Sequence, residues 1–248
     1  MFRTQYDSDA TTWSPQGRLM QVEYAMEAVQ QGSACLGIVG KGCVVLAAVK
    51  RTPSELAEYQ QKLLRVDDHL GIAISGLNAD ARKLAKYMRT ECLQHKYVYG
   101  TPMHTQRLVL KIADKSQTNT QQAYGRPYGI GLLVGACDQT GPHLFQTCPS
   151  GNYYEYMAHA IGARSQAAKT YLEKHFESFA SAELDELIKH GLKALANSVG
   201  SDKELDKNNA SISVVGTDSK WRIIEGDELQ PYLDAIELEG DATAMADE

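Results

Sequence analysis

The sequence is short of several things, and each shortage removes a class of function. Cysteine occurs five times in 248 residues (Cys35, Cys43, Cys92, Cys137, Cys148). That odd number, with no CxxC pair, fits neither a disulfide framework nor a zinc ribbon. Most of these thiols sit in apolar runs, as buried free cysteines do, so a reducing, intracellular setting is expected. No stretch approaches the ~18 consecutive apolar residues of a membrane span. The head MFRTQYDSDATT lacks the apolar segment of a signal peptide. Lys and Arg form no cluster and the formal net charge is −6, which makes nucleic acid and anionic membrane poor partners.

Conventional catalytic and cofactor signatures are missing as well. Gly40-Lys41 resembles part of a phosphate loop, but Cys35 stands where its leading glycine belongs and Gly42 replaces the hydroxyl residue. Gly129-x-Gly131-x-x-x-Gly135 has the wrong spacing for a dinucleotide fingerprint and lies within a strand-like run, where no helix terminus can receive a phosphate. The seven histidines are scattered, and Asp67-Asp68-His69 reads as a solvated turn rather than a metal site. No GxSxG elbow occurs. No cofactor and no metal are expected.

The residues present describe one large α+β domain. Two apolar runs, Ala34 to Val39 and Cys43 to Val49, flank a Gly-Lys-Gly turn and read as a hairpin of buried strands. A strand from Leu70 to Ser75 follows, with Asn78 as the expected cap of a helix whose inner face is Leu77, Ala81, Leu84, Ala85, Met88 and Cys92. A second helix is predicted over His104 to Gln117, then strands Ile130 to Cys137 and His143 to Thr147, and one more near Tyr153 to Ala158. Two further amphipathic helices carry Ala168, Leu172, Phe176, Phe179 and Leu184, Leu187, Ile188, Leu192, Leu195. Strands Ile212 to Val215 and Trp221 to Ile224 and a short helix from Glu228 to Ile236 close the chain. Strands and helices come in blocks, which indicates sheet on sheet with helix pairs outside rather than alternating βαβ units. Residues 237–248 form an acidic tail; from Glu225 to Glu248 there are nine acidic residues and no Lys or Arg. Such a run reads as a solvated end.

The most specific stretch precedes the first strand. Residues 1–12 are polar with no pattern that folds alone; a turn signal then leads into a helix over about 18–31 with Leu19, Val22, Met26 and Val29 as its apolar seam. With Tyr6-Asp7 ahead of it, Ser14-Pro15-x-Gly17-Arg18-Leu19-x-Gln21-Val22-Glu23-Tyr24-Ala25 closely resembles the N-terminal signature of proteasome alpha subunits. The resemblance continues through GLNADAR (Gly76 to Arg82), RPYGIGLL (Arg126 to Leu133), GPHLFQTCPSG (Gly141 to Gly151) and AIGARSQAAKTYLE (Ala160 to Glu173). Within the family, the head MFRTQYD, the run from Gly162 to Glu173 and ELIKHGLKAL (Glu186 to Leu195) look most like the branch at the sixth ring position.

The resemblance implies a four-layer αββα sandwich of the N-terminal-nucleophile hydrolase kind, two antiparallel sheets between helix layers. It implies a seat in a hetero-heptameric alpha ring, next to other alpha subunits and stacked on the beta ring, in the protein-degrading machinery of cytoplasm and nucleus. Active members of this fold expose an N-terminal nucleophile whose amine serves as base. Ser33 stands at that position here, but the signature precedes it, and Val49 stands where active relatives keep a carboxylate. A non-catalytic ring and gate subunit is therefore expected; a self-processing hydrolase using Ser33 and a stand-alone binding module are the alternatives. The family's gate cluster maps onto Tyr6, Asp7, Pro15 and Tyr24, and its docking pocket for activator C-terminal tails onto Lys62, Glu23 and Gly32. One departure stands out: the family's usual Arg after Tyr-Asp is Ser8, which removes a bidentate cation from the gate.

Overall fold

The hydrophobic runs are continuous because their strands are covered on both faces. In the computed structural model, which describes residues 6–54, 56–122, 124–199 and 204–236, β1 (Cys35–Gly40) and β2 (Cys43–Val49) form the expected hairpin. Alternate residues of β2 serve different cores. Cys43, Val45 and Ala47 pack with helices, whereas Val44, Leu46 and Ala48 face the other sheet. Gly42 turns the hairpin in the left-handed region, at φ +72°, which a side chain disfavours.

The remaining elements are β3 (Leu63–Asp67), β4 (Leu70–Gly76), α2 (Asn78–Tyr99), α3 (Thr105–Gln121), β5 (Ile130–Asp138), β6 (Gly141–Thr147), β7 (Tyr153–Glu155), β8 (Ala158–Ile161), α4 (Ser165–Phe179), α5 (Leu184–Ala196), β9 (Ala210–Gly216) and β10 (Arg222–Ile224), behind an N-terminal α1 (Met20–Gln31). A 3-10 turn at Gly226–Glu228 and a helical stretch over 230–236 follow. One sheet runs β10-β9-β2-β1-β8 and the other β3-β4-β5-β6-β7, with every pairing antiparallel. Helices α4 and α5 cover the first sheet through Leu172, Phe179, Leu187 and Leu192. Helices α2 and α3 cover the second through Leu84, Met88, Leu108 and Ile112. Leu46, Leu133, Leu144 and Trp221 fill the space between the sheets. Three cores between four layers make the expected αββα sandwich.

Several local expectations need correcting. The strand expected near Tyr153 to Ala158 is two strands in different sheets. Tyr156 donates its amide to the Leu144 carbonyl of β6 (2.9 Å), while the Met157 carbonyl accepts from Val39 of β1 (2.8 Å), so the chain changes sheet between them. Strand β3 has no counterpart in the sequence pattern, because Arg65 and Asp67 interrupt its apolar run. Asn78 does not cap α2: it is the first helical residue and Leu77 holds the cap position without a side-chain bond. Phe176, Met26 and Leu77, all expected on inner faces, are 46%, 44% and 49% exposed. The buried seam of α1 is instead Met20, Val22, Ala25 and Val29. The acidic tail 237–248 lies outside the described residues.

Candidate functional site

Helix α1 ends in a tightly closed junction. Gly32 leaves the helix extended (φ −63°, ψ 154°) and donates its amide to Val29. Its carbonyl accepts from Ala163 at 2.7 Å. The fully buried Ser75 of β4 donates its hydroxyl to the Val29 carbonyl at 2.8 Å and lies 3.3 Å from that of Ser33. A Cβ on Gly32 would stand 2.3 Å from the Gly76 nitrogen and 2.4 Å from the Ser75 hydroxyl, so only glycine fits between α1 and β4. Beyond it Val29 abuts Gly131 and Ala28 approaches Gly129, seating the helix across the ends of β4 and β5.

Asp80 holds that floor in place. Its carboxylate accepts both guanidinium nitrogens of Arg126 (2.7 and 2.8 Å) and the Gly129 amide (2.9 Å). Burial alone would raise its pKa, but the Arg126 and Gly129 bonds outweigh burial and hold it below the usual carboxylate range. The sequence displayed both partners, in GLNADAR and RPYG, without showing that they meet.

Ser33 is an internal residue of this junction, 5% exposed, and its nitrogen is the amide of the Gly32–Ser33 bond. On the neighbouring strand Val49, which faces Ala34, carries no acid: it donates its amide to the Ala34 carbonyl at 3.0 Å and presents a hydrocarbon side chain. Lys62 is buried, only 3% exposed. Burial depresses its pKa, the Cys35 thiol acts in the opposite sense, and Arg51 adds to the depression. Burial in turn pushes Cys35 up to about 12. No carboxylate among the described residues pairs with Lys62. A cleft of about 790 Å³ remains open beside Ser33, walled by Val49, Arg51, Tyr59, Arg164 and Asn209. Helix α1 covers the β4–β5 side of this end and contributes no described residue to that cleft.

Ahead of α1 the chain is held by fewer and more exposed contacts. Pro15 occupies the second position of a turn closed by Gly17 donating to Ser14 at 2.9 Å. Ser14 also exchanges bonds with Arg18, its amide to the Arg18 carbonyl (2.8 Å) and its hydroxyl from the Arg18 amide (3.1 Å). Arg18 grips Glu23 through two nitrogens, one at 2.6 Å. Of the gate cluster, Tyr24 donates to the Asp7 carboxylate at 3.2 Å, and the Gln21 side chain donates to the Asp7 carbonyl. Tyr6 is half-buried and makes no hydrogen bond among the described residues; Ser8 is exposed. The structure therefore unites Asp7 with Tyr24 and adds Gln21, which the motif mapping omits. Glu23, Gly32 and Lys62 do not converge within this chain: Glu23 belongs to Arg18, Gly32 to Ser75, and Lys62 to the interior. Residues 1–5 lie outside the described residues.

Comparison with known proteins accounts for this combination of a sandwich and an N-terminal helix. Residues 29–215 match the proteasome subunit family, and residues 6–28 match the N-terminal signature of A-type proteasome subunits. The chain belongs to the proteasome alpha-subunit family. It is 55% identical over 240 residues, 96% of this chain and 97% of the relative, to the alpha type-1 proteasome subunit of Dictyostelium discoideum. Identity to the alpha type-1 proteasome subunit of Drosophila melanogaster is 45%, covering 97% and 87% of the two chains. A probable alpha type-6 proteasome subunit of Schizosaccharomyces pombe is 49% identical, covering 99% and 90%.

Proposed function

We propose that this chain is a non-catalytic structural and gating subunit of the proteasome core particle, in the sixth position of the alpha ring, acting in cytoplasm and nucleus. The observation that carries the non-catalytic reading is the Gly32–Ser33 junction. A nucleophile of this fold needs a free amine as its base. Here that nitrogen is bonded to a glycine whose carbonyl is engaged by Ala163 and which packs so closely on β4 that an added Cβ would clash with Ser75 and Gly76. Val49 supplies no carboxylate, and a buried lysine alone performs no hydrolysis. Peptide mapping of the subunit isolated from core particles tests this: peptides spanning Gly32–Ser33 are expected, and a chain beginning at Ser33 would establish the self-processing alternative instead. Native mass measurement of the endogenous protein separates the ring subunit, found only in a large assembly, from a stand-alone binding module running as a monomer.

The gating part rests on the contrast between the closed junction and the lightly held head. Asp7 and Tyr24 meet beside the Pro15 turn and α1, with Tyr6 next to them in the chain, and there their polar groups can exchange partners with the heads of neighbouring alpha subunits over a shared pore. The docking part assigns Lys62, Glu23 and Gly32 to a pocket that a second alpha subunit completes and an activator's C-terminal carboxylate enters. Burial of Lys62 means that this carboxylate would meet a largely desolvated ammonium, where pairing is stronger than at an open surface. Lys62→Ala is expected to leave ring assembly intact and to weaken activator-stimulated peptide hydrolysis; unchanged stimulation sinks the assignment.

A further inference from the structure

At the edge of the sandwich where the chain changes sheets, a pocket of about 500 Å³ opens between β8 and α4. It is remote in sequence from α1 and shares no lining residue with the cleft at Ser33. Its walls are mainly apolar: Leu172 is buried, while Met157 and Phe176 stand exposed. An exposed Phe on a helix face otherwise given to the core asks what covers it. Into the same pocket turn Tyr156, His159 and Lys169. The Tyr156 and His159 rings stack with centroids 4.1 Å apart at 19°, which fixes both.

Among the described residues, nothing forms a hydrogen bond or ion pair with the Lys169 ammonium, the His159 ring nitrogens or the Tyr156 hydroxyl. Burial, with the Lys169 charge adding to it, lowers His159 to about 4, so near neutral pH the ring is an uncharged donor. Burial raises the Tyr156 phenol, which stays protonated. One cation and two neutral donors thus face a mainly apolar cavity of the size that holds small molecules. Glu173, one helical turn beyond Lys169, stands exposed at the rim and disfavours a second negative charge on any occupant.

We propose that this pocket binds a small monocarboxylate with an apolar or aromatic body, the carboxylate against Lys169, His159 and Tyr156 and the body against Met157, Leu172 and Phe176. Binding would desolvate Phe176 and Met157 and give three unpartnered polar groups a common acceptor. Nothing in the ring or gate reading requires such a site, and its failure would leave that reading untouched.

The test uses the full chain, with the Met157 methyl followed by NMR during titration with 4-phenylbutyrate and its uncharged amide. A saturable shift is expected with the acid, and the amide should bind about tenfold more weakly, the size of one charge-assisted bond at a partly open site. Lys169→Gln should lower affinity for the acid about tenfold and bring acid and amide level. Phe176→Ala should weaken both probes alike. The proposal is overturned by the absence of a saturable shift at millimolar acid, by equal binding of acid and amide, or by a folded Lys169→Gln chain that binds as the parent does. Should that variant fail to fold, the acid-to-amide comparison on the parent chain still decides.

Discussion

The two halves of the N-terminal segment are held by different physics. From Val29 to Ser33 the chain is locked by shape: Gly32 is wedged against Ser75 and Gly76, and the surrounding carbonyls are engaged by buried donors. From Asp7 to Arg18 it is held mainly by polar contacts open to water, Tyr24 on Asp7 and Arg18 on Glu23. Buried steric fit has no alternative arrangement of similar energy, whereas exposed hydrogen bonds and ion pairs are worth little and exchange readily with water or another chain. Under the gating proposal the subunit seals its own fold and also offers a movable head, which takes both kinds of attachment, and they meet within one helix.

The largest effect should come from filling the wedge. Gly32 has an ordinary φ of −63°, so Gly32→Ala tests steric fit alone and not backbone strain. With backbone and hydroxyl atoms inside 2.5 Å of the new Cβ, α1 must lift from β4, at a cost of about 3 kcal/mol or more. Thermal unfolding of the variant checks this. A melting temperature within a degree of the parent would show that the junction is soft, and the contrast with the head would collapse.

Next in size is an anchor elsewhere in the scaffold. Asp138, at the end of β5, accepts bonds from the amide and hydroxyl of Thr105 (2.9 and 2.8 Å) and of Thr140 (2.9 and 2.6 Å), tying the start of α3 to the β5–β6 turn. Burial would raise its pKa, but those four bonds together hold it well below the ordinary carboxylate range. A carboxylate depressed in the folded state contributes stability that is present above its unfolded pKa, about 4, and is lost as pH falls through the lower folded value. Asp138→Asn should cost about 2 kcal/mol at pH 7. The difference between parent and variant should shrink below pH 4; a gap that stays constant with pH would assign the loss to packing instead of charge.

How far the sequence could be read follows the same division. The β1–β2 hairpin, the inner faces of α3 and of α2 beyond Leu77, and the block order were legible because period and burial agree, as when Leu108, Val109 and Ile112 all prove fully buried. Strand β3 was hidden by Arg65 and Asp67, whose pairing depends on β4 across the sheet. The sheet change at Tyr156–Met157 was hidden because periodicity reports that a strand exists, not which neighbour it joins. Around the site, the motif located Ser33, Lys62 and the gate residues. It could not show that Lys62 is enclosed, which tertiary packing decides, or that Ser75 pins α1, since that depends on Ser75 meeting Val29 and Ser33 from more than forty positions away. Met26 and Phe176 were misplaced for the opposite reason: their spacing suited the core, but Met26 lies on the exposed face of α1 and Phe176 borders the open pocket at β8.

A smaller effect, of opposite sign, is expected at Lys62. Its pKa is depressed chiefly by burial, so between the folded value and the unfolded one near 10.4 the unfolded chain binds more protons and stability rises with pH. Lys62→Met should therefore leave the full chain at least as stable as the parent, with a gain of about 1 kcal/mol or roughly 2–4 °C in Tm. Under the docking proposal the same variant loses activator response. Gain in stability with loss of response would mark Lys62 as a residue kept for a partner; destabilisation would place it among the scaffold anchors with Ser75.

The smallest effect on stability should come from the head, and there the comparison is sharpest. Tyr24→Phe removes one 3.2 Å bond to Asp7 from an exposed helix face, so it should change stability by less than about 0.5 kcal/mol. Asp7→Ala removes the acceptor of that bond and should add little more. If the head serves a gate, however, both variants should raise the basal hydrolysis of short peptides by assembled core particles, because a closed pore depends on heads keeping a fixed arrangement. That outcome would separate the two halves of the segment by readout: one changes whether the subunit folds, the other changes what the assembled ring lets through. Equal basal hydrolysis in parent, Tyr24→Phe and Asp7→Ala particles would reduce the Asp7–Tyr24 contact to surface decoration and leave the closed junction as the only part of this segment with a consequence.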